Sequence, residues 1–238
     1  MKKLVFVFIL ALMGCSDGQS GASDGVSTAK SIEIKEYITS QIRNKKRVDL
    51  NGRSGSNLKG LKLTGANLSA VDLSGVDLSH SQIARVDFSN ANMDGVILSG
   101  ATLQESDFSG VKFLKLNAQN VDFQASIFHQ TFFENSNLTN ANFEESDLTE
   151  ATILNARLDG INLVKSVIKN TILTDVNFQK ANLVGANLTG SKISKSAFYG
   201  ADMRGVNLSK VVMKDCSFES SDLSGSIAKD ASFIKTDF

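Results

Sequence analysis

From Leu58 to Phe238 every fifth residue is apolar. Of the 37 positions counted by fives, 35 hold Leu, Ile, Met or Phe, and Ala118 and Ala228 are the departures. A spacing of five suits neither regular structure. In an α-helix, five steps of about 100° carry each residue about 140° round from the last, so no apolar stripe forms. In a straight strand an odd spacing sends successive centres to opposite faces. A chain that keeps this count for 181 residues without an insertion must bend every five residues, and it must be a repeat protein.

The other four positions obey rules of their own. Two before each centre stands a small or β-branched residue (Ala66, Val71, Val76, Ser81), and just before it often Asn or Asp (Asn67, Asp72, Asp77, Asp87). Ser or Thr is common after the centre and Gly one further on (Gly60, Gly65, Gly75). The consensus A/V-D/N-L/F-S/T-G resembles the pentapeptide-repeat family. That resemblance implies an all-β fold, a right-handed quadrilateral β-helix in which each unit forms one side. The centre and the residue two before it face inward, and the other three face water or turn the corner. Four units make a coil of 20, so the 36 intervals give about nine coils and a rod on the order of 43 Å long.

Residues 20 apart should then stack. Phe178, Phe198, Phe218 and Phe238 share one column, and Phe88, Phe108 and Phe128 another, which predicts aromatic ladders along the core. At Ala118 the neighbouring Leu116 is large where a small residue is usual, a swap that conserves volume. Ala228 has no such partner. The chain contains no proline, which would remove a ladder donor wherever it entered a strand.

The N-terminal segment MKKLVFVFILALMGC carries a different pattern: two lysines, then ten apolar residues from Leu4 to Met13. The run is too short to span a bilayer and suits a signal peptide over residues 1–14. Leu12-Met13-Gly14-Cys15 resembles the lipobox of bacterial lipoproteins, which implies cleavage before Cys15 and acylation of that residue; an ordinary secretory signal is the plainer reading. Ser16 comes after the cysteine where Asp would favour the inner membrane, so the expected location is the cell envelope, with the outer membrane preferred. Residues 15–30 are rich in Gly, Ser and Asp and read as a flexible tether. Residues 31–47 read as a short amphipathic helix, with Ile34, Tyr37, Ile38 and Ile42 on one face, covering the first coil or laying Arg43, Lys45, Lys46 and Arg47 on lipid headgroups. The β-helix is assigned to 48–238, with Val48-Asp49-Leu50 as a first unit out of register. At the other end Phe238 is a repeat centre with nothing after it, and the expectation is an end-to-end homodimer through the C-terminal coil, as the resemblance implies.

Nothing in the chain reads as catalytic. Cys216 stands at a small inward position, and His80 and His129 lie in different columns more than two coils apart, too far to share a metal. No P-loop, nucleophile elbow or metal motif is present, so no enzyme activity, cofactor or metal is expected. Residues 56–238 hold 20 acids and 16 bases, which is no footprint for nucleic acid. It is also a weak basis for the family's cytoplasmic DNA mimics that occupy gyrase, the alternative function. One feature breaks the outward polar habit: Leu114, Phe132, Leu154 and Ile172 fall on successive coils of one side and read as an apolar strip. Val212 and Ile234 extend it, and Ile127, Val167 and Ile227 interrupt the Asn/Asp column of the preceding side. The strip is a surface for a partner protein or a second copy, or else drift in the repeat or a bed for the 31–47 helix. The expected function is thus a rigid envelope module that binds or spaces other proteins.

Overall fold

The corner that the five-residue period demands is a left-handed backbone step. In the computed structural model, which describes residues 24–43 and 57–238, every residue two after a centre from Gly60 to Lys235 has positive φ. Twelve of these are glycine and 24 are not, the latter at 47° to 62°. For a residue with a Cβ this costs roughly 1–2 kcal/mol. Over most of the array the corner N–H is anchored to the next coil, as Ala70 is to the Ser89 carbonyl at 2.8 Å, so the strained step is held by the ladder it feeds.

Pairing is parallel throughout and the register is 20, from Asn57↔Asp77 to Ser217↔Asp237. The fold is a parallel β-solenoid of about nine four-sided turns preceded by one helix. Its regular strands form two separate sheets. The first has three: β1 (Lys62–Thr64), β2 (Gln82–Ala84) and β3 (Thr102–Gln104). The second has seven: β4 (Lys112–Leu114), β5 (Phe132–Glu134), β6 (Thr152–Leu154), β7 (Ile172–Thr174), β8 (Lys192–Ser194), β9 (Val212–Lys214) and β10 (Ser232–Ile234).

The core is the stack of centres. Phe178, Phe198, Phe218 and Phe238 lie face to face at 4.8, 4.7 and 5.2 Å. Phe88, Phe108 and Phe128 do so at 5.1 Å each. Ala118 and Leu116 are both buried, as the volume swap requires. Small inward positions that carry a hydroxyl spend it on backbone carbonyls, of the preceding coil where Thr131 donates to Phe108 at 3.0 Å and Ser126 to Leu103 at 2.9 Å, and of their own coil where Ser146 donates to Phe143 at 2.7 Å. Among the described residues no buried side-chain polar atom lacks a partner.

Helix α1 runs over Asp24–Arg43, so it opens seven residues before the expected start and takes 24–30 from the tether. No proline interrupts its turns. Ile34 and Ile38 are buried against the first coil, and Lys35 donates to the Lys59 carbonyl at 2.7 Å. The signal segment, Cys15, Val48-Asp49-Leu50 and the bases at 45–47 lie outside the described residues. At the far end Leu223 and Phe233 are half-buried, and Ala228 and Phe238 are exposed.

Candidate functional site

The two sheets lie on opposite sides of the square. β1–β3 are centred on Leu63, Ile83 and Leu103, and β4–β10 on Phe113 and its column-mates, two sides further round. Between Leu103 and Phe113 the strand-built side changes places with a turn-built one.

The residue before each centre accounts for the switch. In eighteen turn-built sides it is Asn or Asp, and its side-chain oxygen accepts the N–H of the residue after the centre, as in Asp87 with Ser89 at 2.9 Å. This local bond replaces a ladder bond and favours a turn. None of the ten strands has Asn or Asp there. On the Leu63 side the column reads Lys62, Gln82, Thr102 and then Asp122, Asn142, Asn162. On the opposite side it reads Asp72, Asn92 and then Lys112, Phe132, Thr152. The rule runs one way, since Ile127, Val167 and Ile227 sit in turn-built sides.

Four carboxylates in these turns, Asp72, Asp147, Asp202 and Asp222, are held below their ordinary range. At Asp72 the cause is the N–H and hydroxyl of Ser74; at Asp202 it is first the guanidinium of Arg204, 2.7 Å away. Burial works against Asp147, but the hydrogen bonds from His129, at 3.0 Å, and Thr149 outweigh it. Cys216 is buried, and burial pushes its thiol up, away from reactivity. Among the described residues no group of three or more His, Cys, Asp or Glu could hold a metal ion, and no helix is long and apolar enough to cross a membrane.

The outward polar side chains of the turn-built sides are thus largely occupied within their own coils. The seven-stranded side differs: it is extended, and its outward side chains stand on either side of a buried centre. Here lie the four residues of the expected strip. They do not form one column. Phe132 and Ile172 stand before the centre, paired with Thr152 and Lys192; Leu114 and Leu154 stand after it, paired with Glu134 and Thr174. The apolar groups therefore zigzag across the sheet between polar neighbours. Leu114, Phe132 and Leu154 are half-buried, whereas Ile172 is 45 % exposed, Val212 40 % and Ile234 44 %. Helix α1 packs at the first coil and does not lie on this face.

A charge count over the whole array hides a second feature. Residues 116–156 hold six acids and no Lys or Arg, while 157–214 hold nine bases and three acids. The rod is banded, acidic over two coils and basic over the next three. The unbroken absence of cations from 116 to 156 is the sequence signal of it.

The family model for pentapeptide repeats matches residues 54–90, 81–113, 119–153 and 171–209, with eight copies. The chain belongs to the pentapeptide repeat family. No curated protein matches it. Among solved structures it is similar to HetL, a pentapeptide repeat protein involved in heterocyst differentiation regulation from the cyanobacterium Nostoc sp. strain PCC 7120. The identity is 22%, over 82% of this chain and 92% of that one, with a TM-score of 0.43. A pentapeptide repeat protein of the Arabidopsis thaliana thylakoid lumen is 28% identical over 38% of this chain and 63% of its own, at a TM-score of 0.37. QnrB1, a plasmid-mediated fluoroquinolone resistance protein, is 18% identical over 72% and 89%, at 0.35.

Proposed function

We propose that this protein is a non-catalytic module of the bacterial envelope, a rigid rod held to a membrane by acyl groups on Cys15 that presents one side to a protein partner. The observation that carries the reading is the seven-stranded side, where Ile172, Val212 and Ile234 stay exposed on an extended surface. The lipobox-like Leu12-Met13-Gly14-Cys15 supports the anchor, and Ser16 the outer membrane. The partner surface comprises Leu114, Phe132, Leu154 and Ile172.

The test is fractionation of cells making the native chain or Cys15→Ser, with intact mass of the mature N-terminus. The reading expects native protein in the membrane fraction with acyl mass on Cys15, and the variant released. Soluble native protein that keeps residues 1–14 would overturn it.

The acidic band favours a second reading, the cytoplasmic DNA mimic. Six acids over about 10 Å match the charge density of duplex DNA, about one per 1.7 Å. The band is only about a third of a duplex turn long, however, and the coils beyond it have the opposite sign, so we rank this reading second.

A further inference from the structure

Positive charge is concentrated at one end of the rod. From Lys30 to Lys62 the chain has nine bases and three acids, whereas residues 63–156 have three bases and twelve acids. The first stretch belongs to α1, to the opening of the first coil and to the chain that connects them, so its excess of positive charge is tied to the N-terminal end. Lys35 on α1 donates to the Lys59 carbonyl at 2.7 Å, and Lys59 and Lys62 are exposed on two adjoining sides of the first coil. Ile34 and Ile38 fix α1 to the core beneath them.

We propose that this end seats on the headgroups of an anionic membrane and that the rod stands upright on it, its seven-stranded side facing along the membrane. The proposal rests on the anchored reading and adds an orientation to it. Asp24, the first residue of α1, follows Cys15 by nine residues, so acyl groups on Cys15 keep the helix within about 30 Å of the bilayer. Acyl chains beside a cluster of bases are a combination that anionic leaflets hold. Screening confines the attraction to charges within about 10 Å of the surface. The part of the rod that touches the membrane therefore decides its orientation. Upright, that part is the base-rich end, and the acidic coils stand clear.

No long side offers as much. With each corner counted with the side it follows, three of the four sides are net negative over residues 57–238, and the seven-stranded side has six lysines against five acids. Laying any of them down brings acids onto the headgroups. Standing also sets the height of the docking side: β4 lies about 13 Å above the first coil and β10 about 42 Å. A protein partner is thus met beside the rod and away from the lipid.

The experiment is neutron reflectometry of the acylated full chain on supported bilayers of phosphatidylcholine, with and without phosphatidylglycerol. Upright, the rod with α1 beneath it makes a layer about 50 Å thick; lying, the layer is one coil wide. The expected result is the thick layer on the anionic bilayer at low salt. It should be lost on the neutral bilayer, at high salt, and in Lys59→Glu/Lys62→Glu, with circular dichroism checking that the coils are kept. A layer one coil wide on the anionic bilayer overturns the proposal. So does a thick layer indifferent to lipid charge, salt and the variant. Attachment to the neutral bilayer depends on the acyl groups alone. A chain attached there but lying on the anionic bilayer therefore removes the orientation and leaves the anchor, while a chain attached to neither bilayer removes both.

Discussion

The two opposite sides of the rod that carry strands differ in one position per unit. Over the first coils the Leu63 side is extended and the Leu73 side is turned; from Phe113 onward the assignments are reversed, while the centres stay apolar on both and are buried up to Met203 and Met213. Burial therefore does not decide between strand and turn. The difference lies in the outward residue before the centre: on these two sides an Asn or Asp accepts the N–H of the residue after the centre, and no strand has Asn or Asp there. The surface on offer to a partner is thus set by residues that contribute little to the core.

The largest expected effect comes from joining or separating the two regimes. Phe108 stands at the switch, fully buried, its ring 5.1 Å from Phe88 and Phe128, 5.2 Å from Phe123 and 6.0 Å from Phe113. Phe108→Ala should cost about 3–5 kcal/mol, and because solenoid stability is summed between neighbouring coils it should split denaturant unfolding into two transitions. A single transition shifted by less than about 1 kcal/mol would mean that the two halves are not coupled through this ring.

Acid should act on one kind of side and spare the other. The carboxylates of Asp72, Asp147, Asp202 and Asp222 are held below their ordinary value by turn hydrogen bonds, burial opposing this at Asp147. A depressed folded pKa contributes stability that is present above the unfolded value, near about 4, and is lost as pH falls through the lower folded value. Amide protection at Ser74, Thr149, Arg204 and Ser224 should therefore drop below about pH 4. Val164, whose turn bond is accepted by Asn162 at 3.2 Å, should keep its protection. Equal loss at all five amides would separate the turns from their carboxylates.

The solenoid, its register and its aromatic ladders are legible in the sequence because a period of five over 37 units leaves one solution. The strand-bearing side is harder to read, although its signal is visible. Phe132, Ile172 and Val212 look like apolar intrusions into an Asn/Asp column, when with Lys112, Thr152 and Lys192 they mark where the turn-forming oxygen is missing. A single column taken in isolation also makes Leu114, Phe132, Leu154 and Ile172 look collinear. Two stand before the centre and two after it, which becomes visible only when both outward columns of a strand are laid out. The helix start is hidden because Gly/Ser/Asp composition argues for a tether over residues that the helix takes up.

The smallest effect concerns the corners, which both kinds of side share. Ala125 has φ 55° with no side-chain oxygen to ease the left-handed step. Ala125→Gly should stabilise by about 0.5–1 kcal/mol, read as a raised denaturation midpoint. A lowered midpoint would mean that the Ala125 methyl does more in packing than it costs in strain.

The switch itself is open to direct measurement through backbone chemical shifts at the residue after each centre. Thr64, Ala84 and Gln104 should report extended backbone and Gln124, Glu144 and Val164 turn; on the opposite side Ser74 and Asp94 should report turn and Leu114, Glu134 and Leu154 extended. Shifts that keep one conformation along either side from end to end would contradict the account, and with it the seven-stranded face on which the proposed partner surface stands.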